Sequence, residues 1–249
     1  MANNKEPKVR VEHLVKRFGD LLVLDDLSFN VDEGEFLCIV GPTGCGKTTF
    51  LNSLTRLYEP TSGEIYVDGI PVNPKVQNIS YIFQEYSGFP WLTVEQNIQF
   101  GLDIKRIPKE EAKKNVEEML DMVGLTAFRK YYPDQLSTSM LQRVAIARAF
   151  ATKPELLLMD EPYGQLDIDL RFKLEDELIR LWKHTGTTVL FITHNIEEAV
   201  YLSEKMMVLT NKPTTVKTVI DNPLPRPRDV TDREFVRLRN EVTELIKWW

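Results

Sequence analysis

The stretch Phe36-Leu37-Cys38-Ile39-Val40-Gly41-Pro42-Thr43-Gly44-Cys45-Gly46-Lys47-Thr48-Thr49-Phe50 decides how the chain is to be read. Residues 36–40 form a continuous apolar run of the length expected for a strand buried on both faces. Residues 41–46 are rich in glycine, and Phe50, Leu54, Leu57 and Tyr58 then recur at helical spacing. Residues 41–48 satisfy G-x-x-x-x-G-K-[ST] at every fixed position, between a strand and a helix as the motif requires. Glycines let the backbone curl until its N–H groups converge on phosphate oxygens, and the helix N-terminus adds partial positive charge at the same point. Lys47 is expected to neutralise β- and γ-phosphates, and the Thr48 hydroxyl to ligate Mg²⁺. Gly41, Pro42, Thr43, Gly44, Cys45, Gly46, Lys47, Thr48 and Thr49 are therefore the candidate nucleotide-binding residues.

A second piece lies far downstream. Leu156-Leu157-Leu158-Met159-Asp160-Glu161 is an apolar strand ending in two acids. Such an ending places carboxylates at the carboxyl edge of a sheet, where ligands sit in open α/β folds. Asp160 is expected to hold Mg²⁺, and Glu161 to orient or deprotonate the attacking water. His194 follows the apolar stretch 188–192 and precedes a helical run, which makes it a candidate contact to the γ-phosphate. Asn211-Lys212-Pro213-Thr214 imitates a guanine-reading N-K-x-D, but Thr214 is no carboxylate and cannot accept a pair of guanine N–H donors. It reads as a proline turn.

The remaining pattern fits an α/β protein with strand, helix and strand in alternation, hence a parallel sheet. Residues 9–14 and 27–31 read as strands, and Asp68-Gly69 as a hairpin turn after the strand 64–67. Residues 79–83 form another short strand. Residues 90–137 are helical in character, with Ala112, Val116, Leu120 and Val123 on one stripe and Gly124 as its stop. Leu170, Leu174, Leu178 and Leu181 mark a further helix. Near the end, 222–228 is proline-rich and extended, Thr231-Asp232-Arg233-Glu234 reads as a capping box, and Phe235, Leu238, Val242, Leu245 and Trp249 form a stripe. Acids and bases balance from Asp221 onward, so the tail arginines read as a solvated face rather than a lipid-binding block.

Composition limits the function classes. With 43% hydrophobic and 27% charged residues among 249, the chain can bury a core and is not mainly disordered. Thirty-one Lys and Arg against 37 Asp and Glu leave a net charge of −6, a poor balance for gripping nucleic acid. Two cysteines, Cys38 and Cys45, exclude a disulfide framework and suit a reducing cytoplasm. Residues 1–7 are polar, without the apolar centre of a signal peptide, and no apolar run reaches the roughly 18 residues of a membrane span. Any work at a membrane is expected to pass through a partner that spans it.

Taken in order, these motifs resemble the nucleotide-binding subunit of an ABC transporter, over nearly the whole chain. The resemblance implies further roles. Phe18, before Gly19, matches the family's aromatic residue that stacks on adenine. Gln84, after the strand 79–83, matches the glutamine that reaches Mg²⁺ and the attacking water. Leu136-Ser137-Thr138-Ser139 matches the signature segment that reaches the other subunit's nucleotide, and Gln165-Leu166-Asp167 the segment that crosses the dimer seam. His194 matches the switch histidine. Glu161, His194 and Gln84 are thus the expected catalytic residues, Thr48, Gln84 and Asp160 the expected metal ligands, and Ser137, Thr138, Ser139 and Asp167 the expected trans contacts. Gln84-Glu85, 90–94 and 225–228 look like the branch that imports nitrate, sulfonate, taurine and similar small anions.

The implied fold is one ABC ATPase domain over 1–249: a P-loop core with an antiparallel β subdomain in 1–86 and 141–211, an inserted α-helical subdomain in 87–140, and a tail with a helix in 212–249. The implied function is hydrolysis of Mg-ATP, sandwiched between this chain and a second ATP-binding subunit, identical or different. Transport would run through separate permease subunits at the cytoplasmic face of the membrane, with a solute-binding protein engaged indirectly and no nucleic acid. The aromatic-rich segment 81–91 would face the permease or else serve plain core packing. One departure stands out: the signature's usual two glycines are Thr138 and Ser139 here, and their side chains crowd a place where backbone must approach phosphate. Non-transport ABC ATPases are expected to carry coiled-coil insertions or tandem cassettes, and this chain has one cassette and no heptad run. A non-hydrolysing regulatory subunit is the other alternative, and Glu161 and His194 argue against it.

Overall fold

A computed structural model describes residues 6–164 and 166–246. Gln165 of the seam segment and Trp249 of the tail stripe lie outside the described residues. In chain order the elements are β1 (Val9–Phe18), β2 (Leu21–Val31), β3 (Phe36–Val40), α1 (Lys47–Leu54), β4 (Ser62–Val67), β5 (Ile70–Pro71), β6 (Ile79–Ile82), α2 (Val94–Ile104) and α3 (Lys109–Met122). They continue with α4 (Thr138–Ala151), β7 (Leu156–Asp160), α5 (Ile168–Thr185), β8 (Thr188–Thr193), α6 (Ile196–Leu202), β9 (Lys205–Leu209), β10 (Val216–Asp221) and α7 (Arg233–Ile246). Two compact units result: one from the residues up to Gln77 and from Thr188 onward, the other from Asn78–Thr187.

In the first unit, β3 lies between β8 and β9, parallel to both, and β10 closes the edge antiparallel to β9. Every residue of β3 and β8 is buried. That is why both read as apolar runs rather than alternating ones. The antiparallel sheet β2-β1-β4-β5 has the expected two-residue turn at Asp68 and Gly69, with φ of 53° and 72°. β1 and β2 are longer than their sequence suggests. Register shifts between Val11 and Leu14, and positive φ at His13 and Asp26, break the alternation that would have revealed them.

Three local expectations are corrected in this unit. The helix after the glycine loop ends at Leu54; Arg56 turns to φ 56°, and Leu57 and Tyr58 lie beyond it, exposed. The cap of α7 is Asp232, whose carboxylate accepts the Glu234 N–H at 2.8 Å, while the Thr231 hydroxyl donates to Asp229 at 2.6 Å. Arg226 and Arg228 are not a solvated face. Arg228 Nη1 donates to the carbonyls of Val200, Tyr201 and Ser203 at 2.7–2.8 Å, and Arg226 to those of Tyr201 and Leu202. They satisfy carbonyls left open at the end of α6. Burial, with Arg226 alongside, brings the Arg228 guanidinium down to about 10.

Among the described residues the second unit joins the parallel pair β6–β7 to the α-helices α2, α3, α4 and α5. Thr93 caps α2 reciprocally with Gln96, accepting its N–H while the Gln96 side chain accepts that of Thr93. The α3 stripe is buried at Ala112, Val116, Leu120 and Val123, and Gly124 follows at φ 67°. Arg129 bridges Glu95 of α2 and Glu117 of α3 at 2.7 and 2.6 Å. That hydrogen bonding holds the Glu95 carboxyl down at about 2. α5 buries Leu174, Leu178 and Leu181 and ends at Gly186 in the left-handed conformation. Among the described residues no helix is long and apolar enough to cross a membrane.

Candidate nucleotide-binding site

The glycine loop leaves β3 and enters α1 within the first unit. Lys47 is buried, and its ammonium donates to the carbonyls of Gly41 at 2.9 Å and Pro42 at 3.0 Å, which curls the loop over it. Gly46 has φ 121°, and a Cβ there would stand 2.9 Å from Val23 Cγ1 and 3.1 Å from Leu24 Cδ2. Gly44 also has positive φ, 77°, but with open space where a Cβ would go. One glycine is thus fixed by neighbours and backbone together, the other by backbone alone.

The N-terminus of α1 has no capping side chain and no acid in its first turn. Its positive end is uncompensated, which suits an anion. Thr43, Gly44 and Thr48 are exposed along the loop, Pro42 and Thr49 are half-buried, and Cys45 is buried. Burial raises the Cys45 thiol above its ordinary value despite the nearby Lys47. It stays a thiol and packs.

Thr214 supports this loop, which nothing in the sequence signals. Its side chain is fully buried and its hydroxyl donates to the Cys45 carbonyl, while its backbone N–H donates to Val23 at 2.9 Å. The segment read as a proline turn is therefore also a brace. His194 emerges beside the loop: Val40 and Thr193 are register partners at the ends of β3 and β8, so Gly41 and His194 leave the same sheet edge. His194 is exposed, and the Asn195 N–H donates to Thr193 Oγ1 at 2.9 Å. Phe18, at the β1–β2 turn, is 43% exposed. It meets Tyr58 edge-on at 5.3 Å, with the Lys16 ammonium 4.9 Å from its ring centroid.

The second unit repeats the edge arrangement. Ile82 and Met159 are register partners, so Gln84 and Asp160 leave the same edge of β6–β7. Asp160 is buried and accepts from the Tyr81 hydroxyl at 3.3 Å, a partner the sequence did not point to. Glu161 follows with φ 46°, a strained conformation for a non-glycine residue and one that clusters at functional sites. Gln142, buried in α4, donates to the Pro162 carbonyl next door. Ser137 caps α4, accepting from the Met140 N–H at 3.4 Å, and its hydroxyl lies 3.0 Å from that of Ser139. Thr138 is exposed. Asp167 caps α5, accepting the Leu170 N–H at 3.0 Å. Among the described residues no group of three or more His, Cys, Asp or Glu stands ready to hold an ion.

The family model described as ABC transporter matches residues 24–164, more than half of the chain. The chain belongs to the ABC transporter family. An uncharacterised ABC transporter ATP-binding protein of Methanocaldococcus jannaschii is 43% identical over 244 residues, 96% of this chain and 91% of that protein. An aliphatic sulfonates import ATP-binding protein of Bacillus cereus is 38% identical over 237 residues, 95% of this chain and 93% of that one. Among solved structures, a dimeric ATP-binding cassette in a post-hydrolysis state with ADP and Pi aligns at a TM-score of 0.76 and 33% identity, covering 87% of this chain and all of that one. The fold is the P-loop NTPase fold of ABC cassettes, and this member of the family is an ATPase that binds ATP.

Proposed function

We propose that this chain is the ATP-binding subunit of an importer for a small anion, with an aliphatic sulfonate as the favoured cargo. The observation that carries the cargo is the similarity to sulfonate import ATP-binding proteins, 38–40% identical over 92–95% of the chain. In this reading the loop 41–49 wraps the phosphates, Lys47 supplies charge, and Phe18 stacks on the base. Thr48, Gln84 and Asp160 each carry a hard oxygen of the kind Mg²⁺ takes, and would hold the ion together with the nucleotide phosphates. The ion would neutralise phosphate charge. Glu161 orients or deprotonates the attacking water, Gln84 senses that water, and His194 contacts the γ-phosphate.

The working unit is a dimer across which Ser137, Thr138 and Ser139 meet the other subunit's nucleotide, with Asp167 at the seam; the dimeric cassette that aligns with this chain supports it. Permease subunits would seat on the helical subdomain, 87–140, and place the chain on the cytoplasmic face of the membrane. Tyr81, Phe83 and Phe89 of the segment 81–91, with Phe100 and Ile104 of α2, line a groove of about 390 Å³, a surface suited to an apolar helix. A solute-binding protein would deliver the cargo.

A second reading concerns the dimer. The exposed Thr138 and the Ser137–Ser139 hydroxyl contact occupy the α4 terminus where glycines would leave the backbone bare. That favours a different ATP-binding subunit as partner, so that only one of two sites turns over well.

The test is to purify the complex through a tag on this chain and measure ATP hydrolysis with ethanesulfonate, taurine or nitrate present. Co-purified permease with hydrolysis raised by ethanesulfonate and not by nitrate supports the reading. The absence of any membrane protein refutes it. Two ATP-binding chains in the complex support the unequal pair, and a single species with two equivalent nucleotides ends it.

A further inference from the structure

α6 has only seven residues and starts directly after His194 and Asn195. At its first turn Asn195 Oδ1 accepts the N–H groups of Glu197 and Glu198 at 3.0 and 3.4 Å. The last four carbonyls of a helix find no partner within it. Here the tail supplies a donor to each carbonyl from Val200 to Ser203. The buried Asn222 donates through Nδ2 to Val200 at 2.8 Å. Arg226 donates through Nη1 to Tyr201 at 3.0 Å and through Nη2 to Leu202. Arg228 Nη1 serves Val200, Tyr201 and Ser203 at 2.7–2.8 Å. The Arg228 guanidinium is itself oriented from behind, because Nε and Nη2 both donate to the Leu224 carbonyl at 3.2 Å. On the flank of α6, Glu197 pairs with Arg239 of α7 at 3.1 Å.

Two turns of helix are marginal alone, so the place and direction of α6 depend on what binds it. At a rise of about 1.5 Å per residue, the end held by the tail lies about 10 Å along the helix from its start. His194 stands at that start, exposed at the junction of β8 and α6. The sheet fixes one side of the junction, since Thr193 is in register with Val40. α6 fixes the other side, and the tail fixes α6. The chemistry suits a rigid hold: a guanidinium presents its donors in a planar fork, and a lysine in its place would keep the charge and lose the fork.

We propose that Asn222, Arg226 and Arg228 are positioning residues for His194: by holding the far end of α6 they set where the imidazole meets the γ-phosphate. The proposal rests on the reading of His194 given above. None of the three needs to reach the nucleotide. When the hold is lost the last turn of α6 loosens, and the imidazole is misplaced although the phosphate loop still binds ATP.

The experiment reads the imidazole directly. The chain has three histidines, so in NMR spectra of the full chain with isotope-labelled histidine the His194 signals are those that vanish in His194→Gln. Adding the β,γ-imido analogue of ATP with Mg²⁺ should move them in the parent. In Arg228→Lys at saturating analogue that movement should fall at least about threefold, while the signals of His13 and His184 stay where they were. In the purified complex the same variant should lower kcat about tenfold with the ATP KM within about twofold. Equal movement of the His194 signals in variant and parent overturns the proposal, as does displacement of all three histidines together, which would mark a general loss of structure. If Arg228→Lys does not fold, Arg239→Gln decides by the same readouts, with a loss in kcat of about threefold. His194 signals that ignore the nucleotide in the parent refute the γ-phosphate reading of His194, and the positioning role falls with it.

Discussion

Replacing Gly46 by alanine separates what the phosphate loop owes to its neighbours from what it owes to its backbone. At φ 121° an L-residue is strained, at a cost of about 1–3 kcal/mol. The new methyl also meets Val23 Cγ1 at 2.9 Å and Leu24 Cδ2 at 3.1 Å, both on β2. Both side chains are buried, so relief requires movement in a packed sheet, which costs about 1–3 kcal/mol more. Gly44→Ala is the control: its φ of 77° brings backbone strain, but nothing lies within 4 Å of the added carbon. With about 2–4 °C per kcal/mol for a chain of this size, Gly46→Ala should melt about 2–12 °C below Gly44→Ala. Differential scanning calorimetry of the two variants reads this directly. If Gly44→Ala is the less stable of the two, the loop is not held against β2 as described, and the reasoning fails.

Lys47→Ala should weaken ATP binding about 10- to 150-fold, the loss of one charge-assisted contact of about 1.5–3 kcal/mol, as measured by titration calorimetry. Acid should expose the Arg129 bridge. The Glu95 carboxyl is held at about 2 against an ordinary 4.5, so its contribution is complete above 4.5 and lost as pH falls through 2. The melting temperature of the parent should exceed that of Glu95→Gln at pH 6, with the gap closing between pH 4.5 and 2; a gap independent of pH contradicts the pairing.

The elements that were legible in the sequence are those whose residues carry their signal locally. β3, β7 and β8 are buried throughout and carry apolar runs, which β7 ends in Asp160 and β8 brackets with Thr188 and Thr193, and the glycine loop declares itself by composition and position. β1 and β2 were only half visible, because bulges move side chains from face to face and erase the period. The tail arginines were misread for a related reason: a balance of charges says nothing about whether a guanidinium finds carbonyls to bind. Thr214 and Tyr81 show the same limit in the candidate site. Each braces a motif distant in sequence, Cys45 for one and Asp160 for the other, through a hydroxyl that has no pattern of its own. Motif residues are specified by chemistry that recurs at fixed spacing, whereas their braces are specified by the fold.

Glu161→Gln offers the most direct test of how this ATPase works. The substitution preserves size and hydrogen bonding at the strained position after β7 and removes the carboxylate proposed as the base. Steady-state hydrolysis by the purified complex should fall about 10²- to 10⁴-fold, while ATP still binds and is recovered intact from the protein. Hydrolysis near the parent rate would contradict the assignment of Glu161 and, with it, the account of the site.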